Sequence, residues 1–412
     1  MREETLRLAE HAEDRCRNRF QEIDRTALQN TERVLSAFRN HRVSEACLGG
    51  TTGYGYDDLG RETLDKIYAE LLGTDSALVR IGFVNGTHAL TAALFALAKP
   101  GEHLLSVTGL PYDTLQEAIG IRDSAFGSLK FYGIGYDQID LSSDGAPDLK
   151  AIAEAVSRPE TAAVLIQRSR GYSDRRSLTV SEIAEIVSVV RDVNPNVRIM
   201  VDNCYGEFTD TLEPGHVGAD LLAGSLIKNP GGGLAASGGY VAGREELVTR
   251  AASRLTTPGI GGECGATLGN NRRLFQGLFL APHTVAQALK TAVFCAAMMN
   301  LLGIPSFPGV DDPRSDIIQT IRLGSADRMK RFCLGIQKGA PVDSFVTPEP
   351  WAMPGYEDPV IMAAGAFIQG SSIELSADGP IREPYNVYMQ GGLTYESGKL
   401  GIMMAVEELL KE

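Results

Sequence analysis

The chain has 412 residues, room for two or three domains of about 150 residues each and for a large core without covalent staples. Lys and Arg number 39 against 52 Asp and Glu, and the net charge of −13 disfavours any broad nucleic-acid or anionic-membrane surface, since both need clustered basic charge. Six scattered cysteines, with no CxxC and no His at ligand spacing, argue against a structural zinc site and a disulfide framework.

Residues up to about Arg42 read as one charged helix with no signal-peptide core. A glycine-rich loop from Gly49 to Asp58 follows. Leu64, Ile67, Tyr68, Leu71 and Leu72 then recur at helical spacing, with Gly73 suited to the cap. Next, short apolar runs alternate with helices. Ala77–Val84, His103–Val107, Ala162–Ile166, Val197–Val201, Leu221–Leu226 and Gly239–Ala242 read as strands. His88–Ala98 reads as a buried helix, and Thr179 with Glu182 forms a capping box that opens another. This alternation predicts an α/β fold with a mostly parallel, doubly wound sheet. A long helix is expected from about Thr284 to Leu302, and antiparallel strands with a final helix from Ala363 onward. The most apolar stretch, Ala292–Leu302, is shorter than the roughly 18 residues of a membrane span. The expected division is an N-terminal helix and interface loop (1–60), a large domain (61–270) and a smaller C-terminal α+β domain (271–412). The expected setting is the cytoplasm.

Three glycine clusters, at Gly53, Gly133 and Gly259, begin like a dinucleotide loop and lack its last glycine. Gly231-Gly232-Gly233 is not followed by the Lys of a P-loop. Four other features fall in order on the large domain. Asn85-Gly86-Thr87 opens the buried helix, where backbone N–H groups and the positive helix end make a phosphate site. Asp202 ends a strand, where ligands gather in open α/β sheets and where a carboxylate can keep a pyridine nitrogen protonated. Lys228 follows an apolar strand and precedes a glycine run; burial is expected to lower its pKa and make the amine a Schiff-base nucleophile. Ser225, three residues earlier, can reach the phosphate. Tyr112 follows a strand and can stack on a flat ring. Singly, these also read as a helix cap, a loop cap, a loop lysine and a packing tyrosine. Together they describe one ligand, pyridoxal 5′-phosphate. Cys204, Cys264 and His88 read as packing residues, and no metal site is expected.

The segments NGTHAL, GLPYDTL, VDNCYGEF and GSLIKNPGGG resemble fold-type-I pyridoxal-phosphate enzymes of the cystathionine and methionine gamma-lyase group. With QRSRGYSDRRSLTV, TTPGIGGECG and IELSADGPIREPY, the chain is similar throughout to the bacterial branch named for aluminium resistance. The resemblance implies a Schiff base at Lys228, a pyridinium partner at Asp202, stacking by Tyr112 and phosphate contacts from Gly86, Thr87 and Ser225. It also implies a homotetramer built from dimers, with Tyr54 or Tyr56 reaching across to a neighbour's phosphate. It implies a C-terminal-domain arginine for the substrate carboxylate; Arg382 is the first candidate and Arg170 the second. The expected activity is β- or γ-elimination on a sulfur-containing amino acid, with Lys228 moving the Cα proton and Tyr112, or Tyr54 from a neighbouring copy, protonating the leaving group.

Three departures stand out. Ile227 replaces the hydroxyl residue before the lysine, no Asn aligns in the Gln167–Gly171 loop, and no Arg follows Tyr54 or Tyr56 by two residues. Transamination, racemisation, aldol cleavage and a low-turnover stress role remain alternatives.

Overall fold

A computed structural model describes residues 1–122, 126–353 and 357–411. Helix α1 (Glu3–Asn40) leads through a loop to α2 (Leu59–Leu72), whose start is capped by Asp58. Then come β1 (Ser76–Arg80), α3 (Gly86–Leu97), β2 (His103–Ser106), α4 (Asp113–Ile119), β3 (Gly135–Gln138) and α5 (Leu149–Val156). They are followed by β4 (Thr161–Gln167), α6 (Val180–Val193), β5 (Arg198–Asp202), β6 (Leu221–Ser225), β7 (Gly239–Gly243) and α7 (Glu245–Leu255). The seven strands form one sheet in the order β1-β7-β6-β5-β4-β2-β3. The strands from β3 to β6 are parallel, and β7 runs antiparallel to both β6 and β1.

Alternation along the strands gives the sheet two apolar faces. Leu104, Leu165 and Met200 pack against α3 and α7, while Leu105, Val164, Ile199 and Val201 pack against α5 and α6. The strand expected to reach Val84 ends at Arg80, because Val84 lies in the exposed turn before α3.

The second unit starts with α8 (Asn271–Leu301) and continues through β8 (Ser306–Phe307), β9 (Ile318–Arg322) and α9 (Ala326–Lys338). β10 (Val360–Ala364), β11 (Ser376–Pro380), β12 (Asn386–Gln390) and α10 (Tyr395–Leu409) complete it. Its five strands are antiparallel in the order β10-β11-β12-β9-β8. β9 and α9 were not foreseen in this Pro- and Asp-rich stretch. Their signal was present: Ser325 caps α9 by accepting from the Arg328 N–H at 3.3 Å, and Met329, Phe332, Cys333 and Ile336 make its buried stripe.

Helix α8 begins thirteen residues before the expected start and runs through Pro282. Its 31 residues are long and apolar enough to span a membrane, but 78% of its most apolar window is buried against protein. Much of that cover is α1, which presents Ala9, Ala12, Cys16, Ile23, Val34 and Ala37 along one stripe. Polar anchors fix α1 in place: Asp24 pairs with Lys290 at 2.6 Å and Glu13 with Lys399 at 2.7 Å. Asn30 donates to the carbonyls of Phe208 and Asp210, in the loop that follows β5.

That loop is set by a buried polar network. Arg168 is fully buried at the end of β4. It donates to Asn203 Oδ1 at 2.8 Å, Glu213 Oε2 at 3.2 Å and Thr209 Oγ1 at 3.1 Å. Asn203 in turn donates to the Tyr240 hydroxyl, which donates to Glu207 Oε1 at 2.8 Å. A side chain at Gly206 would strike Arg168, so glycine is required where the loop crosses it. Glu207 Oε2 has no partner, and burial pushes this carboxyl up to about 8.

Two stability outcomes follow. Arg168→Met leaves Glu213 buried and unpaired and should cost ~3–5 kcal/mol in urea denaturation. Glu207 has a folded pKa above its ordinary 4.5, so the stability tied to its protonated form is full below about 4.5 and lost as pH rises through about 8. Glu207→Gln removes that dependence, and its melting temperature should gain on wild type steadily across this window.

Candidate active site

The parallel strands end on one side of the large sheet, and there the loops open a cavity of about 780 Å³ between the two units. Six of the expected residues line it together: Gly86, Thr87, Tyr112, Asp202, Ser225 and Lys228.

Helix α3 points its N-terminus into the cavity. Asn85 caps it by accepting from the His88 N–H at 2.8 Å, and His88 Nδ1 accepts from the Val84 N–H at 3.3 Å. His88 is thus a loop-holding residue, as expected. Gly86 lets α3 approach β6: a Cβ there would sit 3.2 Å from the Ser225 Cβ. Thr87 Oγ1 lies 2.8 Å from Thr114 Oγ1. Ser225 is almost wholly buried and its hydroxyl has no hydrogen-bond partner. First-turn N–H groups, a hydroxyl pair and an orphaned serine are a cradle for a phosphate.

Asp202 ends β5, buried, and accepts from the Cys204 N–H at 3.1 Å. Burial pushes its carboxyl up, and the charge of Lys228 pulls it back. Lys228 follows β6. Its turn is tied to the Asp202 loop by Asn229, which donates to the carbonyls of Tyr205 and Glu207 at 2.9 and 3.0 Å. Behind the turn, Gly232 lies so close to Gly277 of α8 that a Cβ would fall 2.2 Å from the Gly277 carbonyl oxygen, at a φ of +55°.

The ammonium of Lys228 sits 4.0 Å from the centre of the Tyr205 ring. The expected fall in its pKa is not what the protein alone produces. Burial pushes the ammonium down, but nearby acidic groups, with Asp202 the one whose charge bears near neutral pH, push it further up. The protein alone therefore keeps this amine charged; it becomes a nucleophile toward an aldehyde only on giving up its proton.

Tyr112 is held at the start of α4 by its N–H, which donates to Gln167 Oε1 at 2.7 Å, and its ring lies 6.0 Å from that of Tyr172. Gln167 stands in the loop where an Asn was sought, with its amide nitrogen donating to the Ser169 carbonyl. These groups fit a phosphorylated pyridine aldehyde: a phosphate cradle, a carboxylate at one side, an aromatic face and a primary amine.

Three expected residues are not brought to this cavity. Arg382 is half-exposed and pairs with Asp358 at 3.1 Å. Arg170 is buried but turns into a neighbouring cleft, donating to Thr320 Oγ1 at 3.1 Å and the Phe307 carbonyl at 3.2 Å, with Asp316 at 3.6 Å. Both arginines are drawn off by carboxylates that the sequence does not show to be near. Tyr54 is 74% exposed and stacks on Tyr56, outside the lining of this chain's cavity.

The structure adds Tyr205, Tyr172, Asp378, Tyr388 and Gln390 to the lining. Tyr205 had a signal, an aromatic three residues after Asp202, and it adopts a left-handed φ of 70°, uncommon for a bulky residue. Asp378 and Gln390 come from strands, where polar residues on a cavity-facing side look like ordinary alternation.

Solved structures share this arrangement of chain. A carbon-sulfur lyase involved in aluminum resistance from Clostridium novyi NT superimposes with a TM-score of 0.95 at 51% identity, covering 98% of this chain and 96% of that one. A Bacillus cereus protein superimposes with a TM-score of 0.95 at 49% identity, covering 98% and 99%. The Bacillus subtilis protein YnbB is 51% identical over 392 residues, 95% of this chain and 93% of that one. The fold is that of fold-type-I pyridoxal-phosphate enzymes, shared at 18% identity and a TM-score of 0.64 with the pyridoxal-5′-phosphate dependent protein YhfS of Escherichia coli. The methionine gamma-lyase family profile matches residues 5–410, and the chain belongs to that family.

Proposed function

We propose that this protein is a pyridoxal-phosphate-dependent carbon–sulfur lyase that removes a β- or γ-substituent from a sulfur-containing amino acid. The observation that carries the reading is the pairing of Lys228 and Asp202 with a phosphate cradle whose Ser225 hydroxyl is buried without a partner. Family membership and the name of the Clostridium novyi relative support the reaction class.

The residues present would hold the cofactor as follows. The N-terminus of α3, Thr87 and Ser225 would take the phosphate, Asp202 the ring nitrogen, Tyr112 the ring face and Lys228 the aldehyde carbon. When bound, the cofactor supplies a protonated ring that accepts the electron pair left at Cα. Lys228 would take the proton from the substrate Cα; its carbonyl-anchored turn keeps the amine over the Tyr205 ring. Tyr112, fixed by Gln167, places a hydroxyl donor for the departing sulfur. The site is proposed to be completed by a second copy of the chain. Tyr54 and Tyr56 form an exposed, stacked pair that suits such a surface, and a homotetramer built as a dimer of dimers is the assembly expected.

Absorption spectra of wild type beside Lys228→Ala and Ser225→Ala test this. Wild type should carry the visible band of a lysine–cofactor Schiff base and release thiol from S-substituted cysteines or methionine. Lys228→Ala should lose both. Ser225→Ala should keep the band and need about tenfold more cofactor, the size of one hydrogen bond to a charged group. A wild-type protein that gains no band on adding cofactor overturns the reading. Tyr54→Ala should shed cofactor faster on dialysis, although the residue lies outside its own chain's cavity.

A further inference from the structure

The C-terminal sheet turns one face to the cavity. Its register sets Asp378 of β11 between Met362 of β10 and Tyr388 of β12, and Ser376 between Ala364 and Gln390. All six line the cavity, while the alternate residues Ala363, Ala377 and Met389 point into the core. A carboxylate therefore stands mid-sheet, on a central strand, facing the ligand space.

Asp378 is 5% exposed, and its Oδ1 has no hydrogen-bond partner. Its Oδ2 receives a long contact of 3.3 Å from Gln390, and Tyr172 also hydrogen-bonds the carboxyl. A buried carboxylate so thinly satisfied is costly in a structural role, because each oxygen can accept two bonds. Burial pushes this carboxyl up to about 7, and among the described residues no cation stands beside it to bring it back into the usual carboxylate range. Among the described lining residues Lys228 is the one cation, and it stands at the Tyr205 ring, next to Asp202. Asp343 adds a second carboxylate at the exposed mouth. With Lys228 and Asp202 engaged by the cofactor, the part of the cavity under the C-terminal sheet is left acidic.

We infer that Asp378 recognises a cationic group on the substrate's side chain, so that the preferred substrates are amino acids carrying a second, distal ammonium. This rests on the reading that the α-amino group is taken at Lys228, which leaves the side chain to extend toward β11. A charge-assisted bond from a distal ammonium would fill the vacant Oδ1 and cancel the local charge.

The test compares S-(2-aminoethyl)-L-cysteine with its neutral isostere S-propyl-L-cysteine on the cofactor-loaded protein. Calorimetric binding and thiol release are both read. Wild type should favour the aminoethyl compound by about tenfold or more, one charge-assisted contact. In Asp378→Asn that ratio should fall toward one, with cofactor content confirming a folded site. Equal binding of the two compounds by wild type overturns the inference, even if both are cleaved. So does an Asp378→Asn protein that weakens both equally and keeps the ratio. Binding with the expected preference but no thiol release from either compound would overturn the lyase reading and leave the role of Asp378 standing.

Discussion

One charged group governs this architecture: the ammonium of Lys228, held at the strand ends among acidic groups that the fold has taken out of water. Burial disfavours the ion, and the acidic groups around it, Asp202 first among those charged near neutral pH, outweigh that penalty. The arrangement persists because everything around it is over-determined. Asn229 fastens the lysine's turn to the loop after β5, Gly232 presses that turn onto α8, and α1 clamps α8 from outside. Arg168 and Glu213 hold the same loop from below. A site that must keep a reactive amine near a buried carboxylate needs this second tier, since a small displacement would let water screen both.

The two units contribute different chemistry. The large sheet provides everything that would hold a phosphorylated ring: a helix terminus, an orphaned serine, a carboxylate and an aromatic face. The C-terminal sheet contributes no such group. It contributes shape and polarity through alternate residues of β10, β11 and β12, of which Asp378 carries the charge. Cofactor class and substrate preference are thus written on separate elements, which lets one vary while the other stays.

The motifs of the large domain were legible because each lies at a strand end or helix start, where local chain geometry dictates what a side chain can reach. Gly86, Asp202, Ser225 and Lys228 needed no long-range information beyond the rule that ligands gather at the strand ends. Arg382 and Arg170 were misplaced for the opposite reason. An arginine is a long side chain whose destination depends on which carboxylate is near, and Asp358 and Asp316 are not identifiable as partners from spacing. The α9 stripe and its Ser325 cap were readable, yet the prolines and aspartates around them outweighed a pattern of only four turns.

What the sequence determined by itself is the α/β alternation, the order along the chain of six of the seven strands of the large sheet (β3 was not read) and the identity of the groups that suit a phosphorylated pyridine aldehyde. These follow from periodicities of 2 and 3.6 and from residues whose chemistry is local. Tertiary structure decided the rest: the charge state of Lys228, the removal of both arginines from the cavity, and the exposure of Asp378 to it. Each depends on distances between segments far apart in the chain, where electrostatic strength is set by burial and by neighbours that no single stretch of sequence contains.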